Sequence, residues 1–187
     1  MLAYREMNFR KIFEALVNFF EKRDLDFAII GAFALKTYGY QRATTDLDFI
    51  VRRKDQETIT RFMESLGFET VYRSKGFSNH VHPISSMGRI DFIYVAKPTG
   101  DEIFANTKKL EVLKGRELPV VSPEHIVALK VFAIKNDPRR TLKELADIKA
   151  LLETTGIKKE MIKKYFEKWN LLEKYYELDR ENDDTRS

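Results

Sequence analysis

The chain has 187 residues, 43% of them hydrophobic, enough for one ordinary globular domain with a real core, or for a compact domain with a helical extension. It contains no cysteine, which excludes disulfides and thiolate zinc sites and fits a reducing compartment. A net charge of +4 and an isoelectric point near 9.1 accommodate a polyanionic partner such as a nucleoside triphosphate or RNA without demanding one. Charges at Arg5, Glu6, Arg10, Lys11, Glu14 and Glu21 interrupt every apolar run at the start of the chain. Neither a secretory signal nor a membrane span is read from it, and a cytoplasmic protein without membrane attachment is expected.

The first element is an amphipathic helix over 8–22, with apolar residues at Ile12, Phe13, Leu16, Val17, Phe19 and Phe20. A short buried strand over 27–30 ends at Gly31, and a helix over 32–38 stops at Gly39. A second strand follows over 46–51, then a helix over 54–66 closed by Gly67. Strands are expected over 68–72, 81–85 and 89–95, the last because Ile90, Phe92 and Tyr94 alternate with Arg89, Asp91 and Ile93. One or two more lie within 110–121 around Gly115. From Ser122, an N-cap with Pro123 at the first helical position, the pattern turns helical over 125–135, 141–154 and 158–178, ahead of a polar tail. The reading is an α+β chain: a mixed sheet with flanking helices over 1–121, then a helical part over 122–187 packed on that core.

Asp46-Leu47-Asp48 is the most informative tripeptide. On a strand, residues two apart share a face, so both carboxylates point one way while Leu47, Phe49 and Val51 are buried on the other. Paired carboxylates repel, and an otherwise apolar strand has little structural use for them. A hard divalent cation, Mg²⁺ or Mn²⁺, removes the conflict. Asp91, again an acid among apolar neighbours, is the candidate third ligand of a two-metal site. Upstream, the strand ending at Gly31 and the helix opening at Ala32 offer backbone N–H groups to phosphate, and Gly31 allows close approach.

Gly31-Ala32, Arg42, Thr44, Asp46, Asp48 and Asp91 together resemble the DNA polymerase β-like nucleotidyltransferase superfamily. The stretch from Gly31 to Asp48 is closest to small prokaryotic members such as the type II abortive-infection toxins. In those proteins Gly-Gly or Gly-Ser opens the motif and Arg-x-Thr-x-Asp-x-Asp closes it. Ala32 stands here at the second position, so triphosphate binding would lean on backbone groups. The resemblance implies the nucleotidyltransferase fold and metal-dependent transfer of a nucleotidyl group from a nucleoside triphosphate. It implies catalytic and metal roles for Asp46, Asp48 and Asp91, and nucleotide-binding roles for Gly31, Ala32, Arg42 and Thr44. It extends to Lys130, to the basic residues Arg139, Arg140 and Lys143, and to Asp147, with Lys130 meeting the triphosphate. The residues alone leave Lys130 either reaching for the surface or facing a polar cavity, and Asp147 either functional or a solvated helix position.

An RNA or protein acceptor and an antitoxin partner are both compatible with this reading. The alternatives are a nucleotide- or partner-binding relic of the fold, favoured by Ala32, and the toxin component of a toxin–antitoxin pair. His80 and His82 share one strand face without a third zinc ligand and are expected at the surface. The lysines at 158, 159, 163, 164 and 168 are expected on a solvated helix face opposite an apolar stripe of Ile157, Met161, Ile162, Phe166 and Trp169.

Overall fold

The computed structural model describes the backbone of residues 9–184 apart from Arg42, Thr45 and Thr155, and side chains as far as Arg180. The described residues divide into two compact units, one within 9–34 and 43–121 and the other within 35–41 and 122–184.

The first unit is built on a sheet of β1 (Phe27–Ile30), β2 (Asp46–Arg52), β3 (Glu69–Arg73), β4 (Phe77–Val81), β5 (Arg89–Val95), β6 (Lys108–Leu113) and β7 (Arg116–Val120). The strand order is β3-β4-β5-β2-β1-β7-β6. Pairs β2·β5 and β1·β7 are parallel and the others antiparallel, which makes the sheet mixed as expected. Helices α1 (Phe9–Lys22), α2 (Gly31–Thr37), α3 (Gln56–Ser65) and α4 (Thr99–Ala105) are interleaved with the strands.

One face of the sheet is its core. The six apolar residues that mark α1 as amphipathic are all buried. Phe13 and Phe20 meet Phe49 edge-on at 5.9 and 5.3 Å, and Phe49 stacks on Phe92 at 5.6 Å. Phe19 of α1 stacks on Phe62 of α3 at 3.8 Å, so both helices cover this face. Each aromatic pair adds roughly 0.5–1.5 kcal/mol beyond its area burial, and Phe49→Ala would cost about 3–5 kcal/mol. Leu47, Phe49, Val51, Ile90, Phe92 and Tyr94 supply the strands' share of this core. Alternation then places Asp46, Asp48 and Asp91 on the opposite face.

Two sequence expectations change here, and one helix appears that the sequence did not announce. Strand β4 is Phe77–Val81, not 81–85, and its centre, Ser78-Asn79-His80, is polar yet buried. His80 bonds Thr70 Oγ1 through Nδ1 at 3.1 Å and Ser78 Oγ through Nε2 at 2.8 Å, and Ser78 Oγ reaches Tyr94 OH at 2.8 Å. This network satisfies polar groups that otherwise could not be buried. His80 and His82 are therefore interior residues, 0% and 5% exposed, and not surface histidines. Burial and the nearby Arg73 charge push His80 down to about 4. Helix α4 has no apolar stripe to announce it. It is tied to β2 by Arg52, which donates to Asp26 and Asp101 and lies 4.6 Å from the Phe104 ring centre.

The second unit contains α5 (Pro123–Asn136), α6 (Thr141–Leu152), α7 (Lys159–Lys168) and α8 (Leu172–Asp184). Ser122 caps α5 by accepting from His125 N–H, as its sequence position indicates. The single helix expected over 158–178 is two, because Asn170 takes a left-handed φ of 55° and reverses the chain. Ile162 and Phe166 are buried and Ile157, Met161 and Trp169 half-buried. Lys158, Lys164 and Lys168 are exposed, but Lys159 is half-buried and pairs with Asp179, and Lys163 is half-buried over the Tyr176 ring, so the lysine face is solvated only in part.

Candidate active site

Parallel pairing of β2 with β5 makes Asp48 the Cα partner of Asp91 and Asp46 the partner of Arg89. Antiparallel pairing of β4 with β5 then sets Asn79 beside Asp91. A row Asp48–Asp91–Asn79 thus crosses three strands on the face away from the phenylalanine core. Asp91 is bonded on one oxygen by two donors: Asn79 Nδ2 reaches Oδ1 at 2.6 Å and Arg89 Nε reaches the same atom at 2.8 Å. The hydrogen bond to Asp91, together with the charges of Asp91, Asp46 and Asp48, holds Arg89 above its ordinary pKa. All three carboxylates therefore act on one guanidinium.

The entry to β2 is fixed locally. Asp46 N–H donates to Thr44 Oγ1 at 3.0 Å, and the same hydroxyl donates back to Asp46 O at 3.3 Å. Thr44 thus orients the strand that carries the acids. Ile30, the last residue of β1, pairs with Asp48, and Gly31 follows at a φ of 66°. A Cβ on Gly31 would lie 2.0 Å from Asp48 Oδ2. The close approach that requires glycine here is made by the Asp48 carboxylate. Ala32 is buried at 2% exposure directly behind it. Arg42 lies outside the described residues.

The donor set of Asp46, Asp48 and Asp91 is the oxygen chemistry that Mg²⁺ or Mn²⁺ takes, and these residues could hold such an ion. As the side chains stand, no three His, Cys, Asp or Glu residues among those described close into a metal-enclosing group. Arg89 supplies positive charge to the same face.

In the second unit the structure brings Lys130 and Asp147 together. Lys130 Nζ donates to Asp147 Oδ2 at 2.5 Å and to Glu144 Oε2 at 2.7 Å, and all three side chains are at most 10% exposed. Arg140 also reaches Glu144. Burial pushes the Glu144 carboxyl up, but Lys130 and Arg140 outweigh it and hold the group below its usual value. Lys130 does not snorkel to the surface; it is the centre of a buried ion cluster.

Sequence reasoning missed three partners. Asn79 was hidden by a strand without apolar alternation. Arg89 enters the sequence reading only through the alternation of β5, although it stands two residues before Asp91 on the same face. Glu144 was detectable as the residue three before Asp147 and four after Arg140, which places all three on one helical side.

Comparison with known proteins assigns the chain to a family. The profile of the family described as nucleotidyl transferase AbiEii toxin, type IV toxin–antitoxin system, matches residues 14–186. The chain belongs to this family. As an AbiEii-family protein it is a nucleotidyltransferase of a toxin–antitoxin class. No curated protein sequence matches it significantly. Among solved structures, the antibiotic-resistance factor ANT(2'')-Ia is similar at a TM-score of 0.65 and 14% identity, covering 92% of this chain and 95% of that one. The lincosamide antibiotic adenylyltransferase LnuA, solved with lincomycin bound, gives 0.57 and 16%, covering 79% and 99%. An antigenic nucleotidyltransferase-like protein from Paracoccidioides brasiliensis gives 0.59 and 17%, covering 92% and 91%. At these identities the likeness shows a shared nucleotidyltransferase fold. Among the described residues, no helix is long and apolar enough to cross a membrane.

Proposed function

We propose that this AbiEii-family chain transfers a nucleotidyl group from a nucleoside triphosphate to an acceptor hydroxyl in a reaction dependent on Mg²⁺ or Mn²⁺. The observation that carries the reading is the register that sets Asp48 beside Asp91, with Asp46 on the same face. In this reading Asp46 and Asp48 would hold divalent metal, with Asp91 as a third ligand. A metal held there would supply positive charge against the triphosphate. The acceptor oxygen forms a bond to the α-phosphorus, the bond to the bridging oxygen breaks, and pyrophosphate leaves. In this reading Asp91 would receive the hydroxyl proton. Backbone N–H groups at Gly31 and Ala32 would, in the same reading, meet the phosphates, with Thr44 holding the start of the strand at Asp46.

The test is calorimetric titration of a non-hydrolysable triphosphate with Mg²⁺ into wild type and Asp48→Asn, followed by incubation with labelled triphosphates and total RNA or protein. Metal-dependent binding in wild type, lost in the variant, and label on an acceptor are expected. A wild type that binds no nucleotide supports the relic reading instead. We further infer, from the family match over residues 14–186, that the chain is the toxin of a pair and is restrained by a cognate antitoxin. Expression of wild type should arrest growth and Asp48→Asn should not; equal growth with both would remove the toxin reading.

A further inference from the structure

The two donors on Asp91 differ in kind. Asn79 is neutral and 6% exposed, whereas the Arg89 side chain is charged and 45% exposed. Its neighbours Ser78 and His80 point to the opposite side of the sheet, where they bond Tyr94 and Thr70. Asn79 is thus the buried polar side chain that β4 turns toward the carboxylates. Because a carboxylate accepts only, the amide must present its NH₂ and not its oxygen to Asp91. Both bonds land on Oδ1, which leaves Oδ2 as the oxygen that the pair does not hold. A neutral donor can stay in place when a dication arrives beside it. A guanidinium is repelled.

We propose that Asn79 is a positioning residue, which fixes Asp91 through Oδ1 so that Oδ2 is presented to a divalent cation, while Arg89 is an exchangeable countercharge that the cation displaces. This rests on the metal-dependent reading of the site. Asn79 makes no contact with the reacting atoms. Its effect passes through the rotamer of Asp91, and partners of this kind typically change metal affinity about 10–100-fold.

The test uses the full chain with Asn79→Leu, Asn79→Gln, Arg89→Gln and Asp91→Asn. In metal-free wild type, the Asn79 side-chain amide should give one downfield, slowly exchanging proton by NMR, and Asp91→Asn should remove it. Mn²⁺ affinity, read by electron paramagnetic resonance without nucleotide, should weaken about tenfold in Asn79→Leu. It should recover in part in Asn79→Gln and tighten in Arg89→Gln. The turnover number should fall in Asn79→Leu with KM for the triphosphate nearly unchanged. Wild-type Mn²⁺ affinity in Asn79→Leu overturns the proposal, as does weaker Mn²⁺ binding in Arg89→Gln. A joint fall of melting temperature and Mn²⁺ affinity in both the Leu and Gln variants also overturns it, by marking Asn79 as a fold residue. If the shifted amide is present but wild type binds no Mn²⁺, the clamp stands while the metal reading fails, and the assigned role falls with it. If the shifted amide is absent in wild type, the clamp itself is wrong.

Discussion

Gly31 and Asp48 compete for the same space: a Cβ on Gly31 would lie 2.0 Å from Oδ2 and 2.6 Å from Cγ of Asp48. The glycine also holds a left-handed φ of 66°. Gly31→Ala is therefore expected to lose activity by pushing the Asp48 carboxylate away, and to lose about 1–3 kcal/mol of stability from backbone strain and contact. Gly39→Ala separates the two effects. Gly39 has φ 94° and nothing within 4 Å of where a Cβ would stand, so that variant should show strain alone, with activity retained. Urea melts and pyrophosphate release of both variants check this. Full activity in Gly31→Ala would show that Asp48 need not sit where it does.

Clustered carboxylates should also link metal to stability. A cation that binds only the folded chain at ten times its dissociation constant adds about 1.4 kcal/mol. For a chain of this size that raises the melting temperature by roughly 3–5 °C. Mg²⁺ or Mn²⁺ should produce this rise in wild type, and Asp46→Asn or Asp48→Asn should shrink it. Superimposable thermal scans with and without millimolar metal, in wild type and variants alike, would argue against Asp46 and Asp48 as ligands.

Strands β2 and β5 were legible because Leu47 and Phe49, and Ile90, Phe92 and Tyr94, alternate with the acids in a period of two. The carboxylate face followed from that alternation alone. Strand β4 was not legible, because Ser78 and His80 are buried through hydrogen bonds that need Thr70 and Tyr94 from other strands. The partnership of Asn79 with Asp91 depends on the β4–β5 register, a non-local property that no window of sequence contains. The break between α7 and α8 was masked by continuous charge and aromatic residues, and only the left-handed Asn170 reveals it.

His80 should make the sheet sensitive to mild acid. Burial, with a smaller contribution from Arg73, lowers it from 6.5 to about 4 in the folded chain. The unfolded chain then binds the extra proton between these values, so stability falls as pH drops from about 6.5 toward 4. The full effect is roughly 3 kcal/mol. His80→Gln keeps a neutral donor and acceptor and should flatten this part of the curve. Chemical denaturation at half-unit pH steps is the measurement. A wild-type curve that is level down to pH 5 would sink the assignment.

The buried cluster of Lys130, Glu144 and Asp147 makes the last prediction, and it separates two uses of the same lysine. Lys130→Ala leaves two carboxylates that are 3% and 2% exposed facing each other without their cation. Breaking a buried ion pair from one side costs about 3–5 kcal/mol. Lys130→Met combined with Asp147→Asn removes charge from both sides and should recover much of that loss. Arg140→Ala should cost only about 0.2–1 kcal/mol, because the Arg140 side chain is half exposed where it meets Glu144. The pH dependence follows from the sign of the Glu144 shift. Its folded pKa is depressed below 4.5, so its contribution is present above that value and is lost as pH falls through the folded pKa. That window lies on the acid side of the His80 transition, and Lys130→Ala should abolish it while leaving the His80 step. Equilibrium unfolding of the single and double variants between pH 7 and 3 measures both. If Lys130→Ala is as stable as wild type but binds triphosphate poorly, the lysine serves the ligand and not the helical unit. A large stability loss, recovered by the double variant, assigns it to the cluster that the structure shows.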